Sequence, residues 1–214
     1  MRSTRLVFLS ALTAATFGAT VSAAAAIPVS PAAGETTPTA MPTFQWAAEH
    51  PGQFSTFLLA GSPEVSGSAG EMSAEKIDVN SNTSGETSYT PVDPIDAGRA
   101  WWQVCEQAPD FSRSCFAPRE VYIPIDLDEA RRSYSSATRT VRVSLSGNLW
   151  RGGSASVRLS ASGWSRTYRA EVSGGGVTID SARIPRRVKA VTFSGVVSIQ
   201  GVSETFRLPR VRTR

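Results

Sequence analysis

The strongest constraint in this chain is the period of its apolar residues. In the second half Val141, Val143 and Leu145 alternate with Arg142 and Ser144, and Ala155, Val157 and Leu159 with Ser156 and Arg158. Tyr168, Ala170 and Val172 alternate with Thr167, Arg169 and Glu171. Val177 and Ile179 follow the Gly174-Gly175-Gly176 turn, and Val191, Phe193, Val197, Ile199, Phe206 and Leu208 continue the series. A spacing of two sends successive side chains to opposite faces of a strand, whereas a helix face needs spacings of three and four. Gly-rich punctuation separates the runs, so the expected fold class is all-β, as two tandem antiparallel β-sandwich domains. Arg166 breaks the alternation, because Trp164 and Tyr168 share its parity; a bulge or a later strand start would each account for it.

The N-terminus places the chain outside the cytoplasm. Arg2 and Arg5 precede an apolar run from Leu6 to about Ala19, and small residues follow up to Ala26. A basic start, a short apolar stretch and small residues before a cleavage point describe a signal peptide, assigned to residues 1–26. Ser10, Thr13 and Gly18 interrupt the run, which favours removal over membrane anchoring. The mature chain is therefore expected to be secreted, extracellular or associated with the cell envelope, with no membrane insertion. Cys105 and Cys115 suit an oxidising compartment.

Charge divides the chain. Residues 27–130 hold fifteen Asp and Glu against four Lys and Arg, a net of −11, and residues 131–214 hold three against sixteen, a net of +13. The division suggests separate domains over 27–125 and 137–214, joined by a linker at 126–136 where the sign flips.

In the first half, Pro42-Thr43-Phe44-Gln45-Trp46, the Ser88-Tyr89-Thr90 step and the run from Asp96 to Val104, with Trp101-Trp102 inside it, resemble bacterial fibronectin type III domains over residues 28–126. The resemblance implies core positions for Trp46 on the second strand and Trp102 on the sixth. It also implies that Cys105 and Cys115 sit at facing ends of the sixth and seventh strands and form a disulfide across a hairpin loop. The polar segment 64–87 departs from the family pattern, and no Arg-Gly-Asp tripeptide is present. The second half is only broadly immunoglobulin-like.

Catalytic constellations are scarce. His50, the single histidine, precedes Pro51-Gly52 in a turn and is read as a surface residue. One histidine and two paired cysteines do not make the usual zinc sets, so no metal and no cofactor is expected. Glu64, Glu71, Glu75 and Asp78 read as a solvated segment without a calcium loop. Trp101 is expected to be covered by residues 64–87.

The candidate binding residues are cationic. Arg183, Arg186, Arg187 and Lys189, with Arg207 and Arg210 near the C-terminus, form a candidate polyanion-binding patch. The same arginines could instead solubilise a sheet edge or face the acidic half. The expected function is a non-catalytic binding or surface-associated module that attaches to an anionic cell-wall polymer or polysaccharide. One alternative is a protein–protein or spacer module, with another surface protein as partner and charge-complementary domains. A remoter one is an accessory domain of extracellular carbohydrate metabolism. Export and the lack of an aromatic platform argue against nucleic acid.

Overall fold

The structure, a computed structural model, describes residues 26–82 and 85–213. The expected signal peptide lies outside them except for Ala26, which is 2% exposed and packs in the first core. Among the described residues every element is a strand, and no helix is long and apolar enough to cross a membrane.

The first half contains β1 (Ile27–Ser30), β2 (Glu35–Thr36), β3 (Phe44–Ala47), β4 (Ser55–Ala60), β5 (Val65–Ser66) and β6 (Glu71–Met72). It continues with β7 (Lys76–Asn82), β8 (Ser88–Tyr89), β9 (Gly98–Gln107), β10 (Arg113–Cys115) and β11 (Arg119–Ile123). One sheet runs β1-β3-β8; the other runs β2-β11-β9-β4-β7, with β10 against β9. Between them lies an aromatic core in which Phe44 and Phe57 are 4.8 Å apart and Phe116 meets Trp102 edge-on at 5.1 Å. Trp46 and Trp102 lie in that core, 2% and 0% exposed.

Cys105 and Cys115 are directly opposed in the β9–β10 pairing and joined by a disulfide. Closing so short a loop stabilises by about 2–3 kcal/mol on the chain-entropy account. The polar segment that departs from the fibronectin pattern covers the outer face of β9. Gln103, fully buried, donates to the carbonyls of Gly70 (2.8 Å) and Phe116 (2.7 Å) and accepts from the Met72 amide (2.8 Å). Met72 and Ala74 pack there with Leu58, Ala60, Cys105 and Trp101, and the Arg99 guanidinium stacks 4.8 Å from the Trp101 ring. Trp101 is thus half-buried under the segment.

The second half contains β12 (Glu129–Ser135), β13 (Thr140–Ser146), β14 (Gly153–Ala161), β15 (Trp164–Val172), β16 (Gly176–Asp180), β17 (Ala190–Ile199) and β18 (Val202–Arg212). Sheets β12-β13-β16 and β15-β14-β17-β18 enclose a mostly aliphatic core of Val141, Val143, Leu145, Val157, Leu159, Val197 and Ile199, with Phe193 among them. Gly195 makes room inside this core, because a Cβ there would run into the Phe206 ring and the Ser156 carbonyl.

Two expectations need correction. The segment 126–136 is a strand over most of its length, since Glu129–Ser135 pairs with Thr140–Ser146. Its inward positions are Ala130, Arg132 and Tyr134, and an arginine at an inward position hides the apolar period. Arg166 sits in neither a bulge nor a delayed start. The β14–β15 register is continuous through its pairing with Leu159, and β15 is an edge strand, where an inward position still reaches solvent.

The two halves meet through Asn148, which is 7% exposed. Its side chain accepts from the Asp126 amide (2.8 Å) and donates to the carbonyls of Ile95 (2.9 Å) and Pro124 (3.0 Å). Its own carbonyl accepts from the Ala97 amide at 2.9 Å. Ala97 and Ile125 of the first half are buried in the second core. Every ion pair found among the described residues joins groups within one half, so the seam is held by packing and by hydrogen bonds to neutral acceptors, those of Asn148 and one from the Arg151 guanidinium to the Arg99 carbonyl.

Asn148→Ala leaves three backbone groups without their side-chain partner, the Ile95 carbonyl buried and the Asp126 amide and Pro124 carbonyl partly so, and is expected to cost about 2–4 kcal/mol. Urea denaturation checks this; a loss below about 1 kcal/mol would show that water replaces the side chain freely.

Candidate functional site

Strand register decides which polar side chains share a surface. Arg158 on β14 pairs with Thr167 on β15 and Ser194 on β17, and Ser194 pairs with Arg207 on β18. Paired residues lie on one face, so Thr167, Arg158, Ser194 and Arg207 form a row across the outer side of the four-stranded sheet. The next row is Arg169, Ser156, Val196 and Thr205. At the usual strand spacing Arg158 and Arg207 stand about 10 Å apart, with the Ser194 hydroxyl between them.

Two shallow grooves follow this face. One of about 430 Å³ is lined by Ser156, Arg158, Thr167, Ser194, Thr205 and Arg207 among others. The second, about 330 Å³, is lined by Ser160, Thr192 and Arg210. Hydroxyls here partner one another, Ser160 with Thr192 at 3.1 Å and Ser198 with Ser203 at 2.8 Å. No carboxylate forms an ion pair with Arg158, Arg169, Arg207 or Arg210 among the described residues. By contrast, Arg142 on the opposite sheet takes Asp180 in two bonds of 2.8 and 3.1 Å.

The structure divides the patch expected from sequence. Arg207 and Arg210 lie on the sheet face beside Arg158 and Arg169. Arg183, Arg186, Arg187 and Lys189 are exposed on the β16–β17 connection, which lines neither groove. That connection is pinned from beneath. Ile184 and Val188 are buried, and the Arg139 guanidinium donates to the carbonyls of Ile184 (3.1 Å), Pro185 (3.0 Å) and Thr213 (3.1 Å). Sequence reasoning did not single out Arg158, Arg169 or Arg139. The parity of Arg158 and Arg169 was visible, but only pairing brings them beside Arg207.

His50 is half-buried, and its backbone amide, with that of Glu49, donates to the buried Glu106 carboxylate at 3.4 and 3.0 Å. Among the described residues no group of three or more His, Cys, Asp or Glu could hold a metal.

A cavity of about 530 Å³ opens at the seam and is lined by Ser62, Glu75, Lys76, Ile77, Asp96, Arg151 and Gln200 among others. Arg151 crosses the seam, donating through Nη1 to the Arg99 carbonyl and to Gln200 Oε1. Burial raises the Asp96 carboxyl above the ordinary carboxylate range, with the Arg151 charge opposing it. Burial in turn lowers the Arg151 guanidinium, which Asp96 opposes.

No family model and no curated protein matches the chain. Solved structures match it at low identity and low TM-score. The chicken CNTN1 FN1–FN3 domains are 12% identical with a TM-score of 0.31, over 89% of this chain and 68% of that one. Fibronectin(III)-like modules of Clostridium thermocellum CbhA are 10% identical with a TM-score of 0.30, over 85% and 92%. The alpha-L-rhamnosidase of Streptomyces avermitilis is 13% identical with a TM-score of 0.29; the match spans 88% of this chain and 25% of the enzyme. At this level of similarity neither a family nor an activity passes to the chain.

Asp96 gives a pH prediction. A carboxyl whose folded-state pKa is raised destabilises the fold while ionised, and the penalty is relieved as pH falls through that pKa. Asp96→Asn is therefore expected to raise Tm at about pH 7 and to leave it unchanged at about pH 3, below the ordinary carboxylate pKa. A gain that persists at the lower pH would contradict the assignment.

Proposed function

We propose that this protein is a secreted, non-catalytic module that attaches to an anionic cell-envelope polymer through the outer face of its β15-β14-β17-β18 sheet. The observation that carries the reading is the row Arg158, Ser194 and Arg207, whose arginines have no carboxylate partner among the described residues. Guanidinium groups on β14 and β18, spaced by the intervening β17 and held by the sheet, present fixed forks to carboxylate or phosphate groups along a chain. The hydroxyls between them donate to the same anions or to sugar oxygens. A flat, grooved face fits an extended polymer better than a compact ligand. The basic connection 183–189 adds long-range attraction at the end of the sheet, which raises the encounter rate more than it fixes register.

Arg158→Gln and Arg207→Gln are each expected to weaken retention on purified cell wall by roughly two- to fivefold, the range for an exposed ionic contact. Retention should fall steeply with salt. Arg186→Gln with Arg187→Gln should lower the association rate with a smaller effect on dissociation. Retention unchanged by the sheet-face variants, or insensitive to salt, would reject this face as the attachment surface.

A further inference from the structure

The seam cleft is lined by two carboxylates, Asp96 and Glu75, and two cations, Arg151 and Lys76. Lys76 pairs with Glu71 at 3.8 Å, whereas Asp96 and Arg151 face the space without meeting. Arg151 is fixed through Nη1, bonded to the Arg99 carbonyl and Gln200 Oε1. Its Nη2 lies 4.0 Å from where a Cβ on Gly61 would stand, on the cleft wall, and has no hydrogen-bond partner among the described residues. Asp96 lines the same cleft, is half-buried, and has no hydrogen bond or ion pair of its own among the described residues. Its chain neighbours are tied down on both sides, Ile95 N to the Ala40 carbonyl at 2.8 Å and Ala97 N to the Asn148 carbonyl at 2.9 Å. The Arg151 charge acts on Asp96, yet the two make no ion pair within 4.0 Å.

Elsewhere in the molecule an arginine and an aspartate that can reach one another pair fully, as Arg142 and Asp180 do. At the seam the anchored backbone keeps Asp96 and Arg151 apart. Two partly desolvated charges held in this way gain most from a guest that supplies both counter-charges.

We propose that this cleft binds a small zwitterion, an amino acid or short free peptide, with its ammonium on Asp96 and its carboxylate on the free edge of the Arg151 guanidinium. The volume of about 530 Å³ is ample for a dipeptide, and Ile77 supplies an apolar wall. Contacts between two domains are a preferred location for such sites. The site is separate from the basic sheet face and does not depend on it.

The test is a titration of the full chain with the dipeptide Ala-Ala, followed by calorimetry and by amide NMR shifts at Gly61 and Gln200. N-acetyl-Ala-Ala, which lacks the ammonium, and Ala-Ala amide, which lacks the carboxylate, serve as controls. The expected result is saturable binding of Ala-Ala, with each control at least fivefold weaker. Asp96→Asn should weaken Ala-Ala at least fivefold and abolish its advantage over the N-acetyl form, while its thermal unfolding confirms an intact fold. No saturable binding, or equal binding of Ala-Ala and both controls, would overturn the proposal.

Discussion

The arrangement of this molecule depends on the hydrogen bonds of one buried amide. Asn148 joins backbone groups at Ile95, Pro124 and Asp126 of the first half through its side chain, and Ala97 through its carbonyl. Gly147 beside it lacks a side chain because a Cβ there would strike the Asp126 carbonyl. The Gln200-Gly201 tip of the last hairpin reaches the same seam, where a Cβ on Gly98 would stand 3.0 Å from Gln200 and one on Gly201 3.0 Å from the Tyr122 ring. Such close approach on several sides sets the orientation of the sandwiches. It also creates the cleft that separates Asp96 from Arg151.

The opposed charges of the halves acquire a physical meaning from this seam. Net charges of −11 and +13 could have drawn the domains together. Instead packing and hydrogen bonds to neutral acceptors carry the contact, the Arg151 bond to the Arg99 carbonyl among them, and the ion pairs found, such as Arg99 with Glu120 and Arg113 with Glu71, lie within a half. Arg158, Arg169 and Arg207 on β14, β15 and β18 carry no ion pair among the described residues, which is what the proposed attachment to an external anion requires. Hydroxyls surround these arginines on the face, while Val196 and Phe206 add apolar lining to the groove.

Much of the fold was legible from local pattern. Alternation marked the strands of the second half, and the fibronectin resemblance carried by the two Trp contexts implied core positions for Trp46 and Trp102. The Cys105–Cys115 bridge joins residues close in sequence, so spacing within a hairpin pointed to it. What escaped depends on partners distant in the chain. Arg132 occupies an inward position, which made a strand read as a linker. Gln103, a polar residue with no visible partner in sequence, turns the segment 70–74 from an open loop into a cover. The basic patch followed consecutive residues, Arg186, Arg187 and Lys189, whereas the sheet assembles Arg158, Arg169 and Arg207 from three strands whose register no single strand encodes.

The central claim is that the outer sheet face, and not the basic connection, receives the anion. Amide chemical-shift mapping of the full chain with dextran sulfate oligomers, against neutral dextran of equal length, tests it most directly. The account predicts shifts centred on Arg158, Ser194 and Arg207 that appear only with the sulfated chain. Shifts confined to residues 183–189, or equal shifts with neutral dextran, would contradict it.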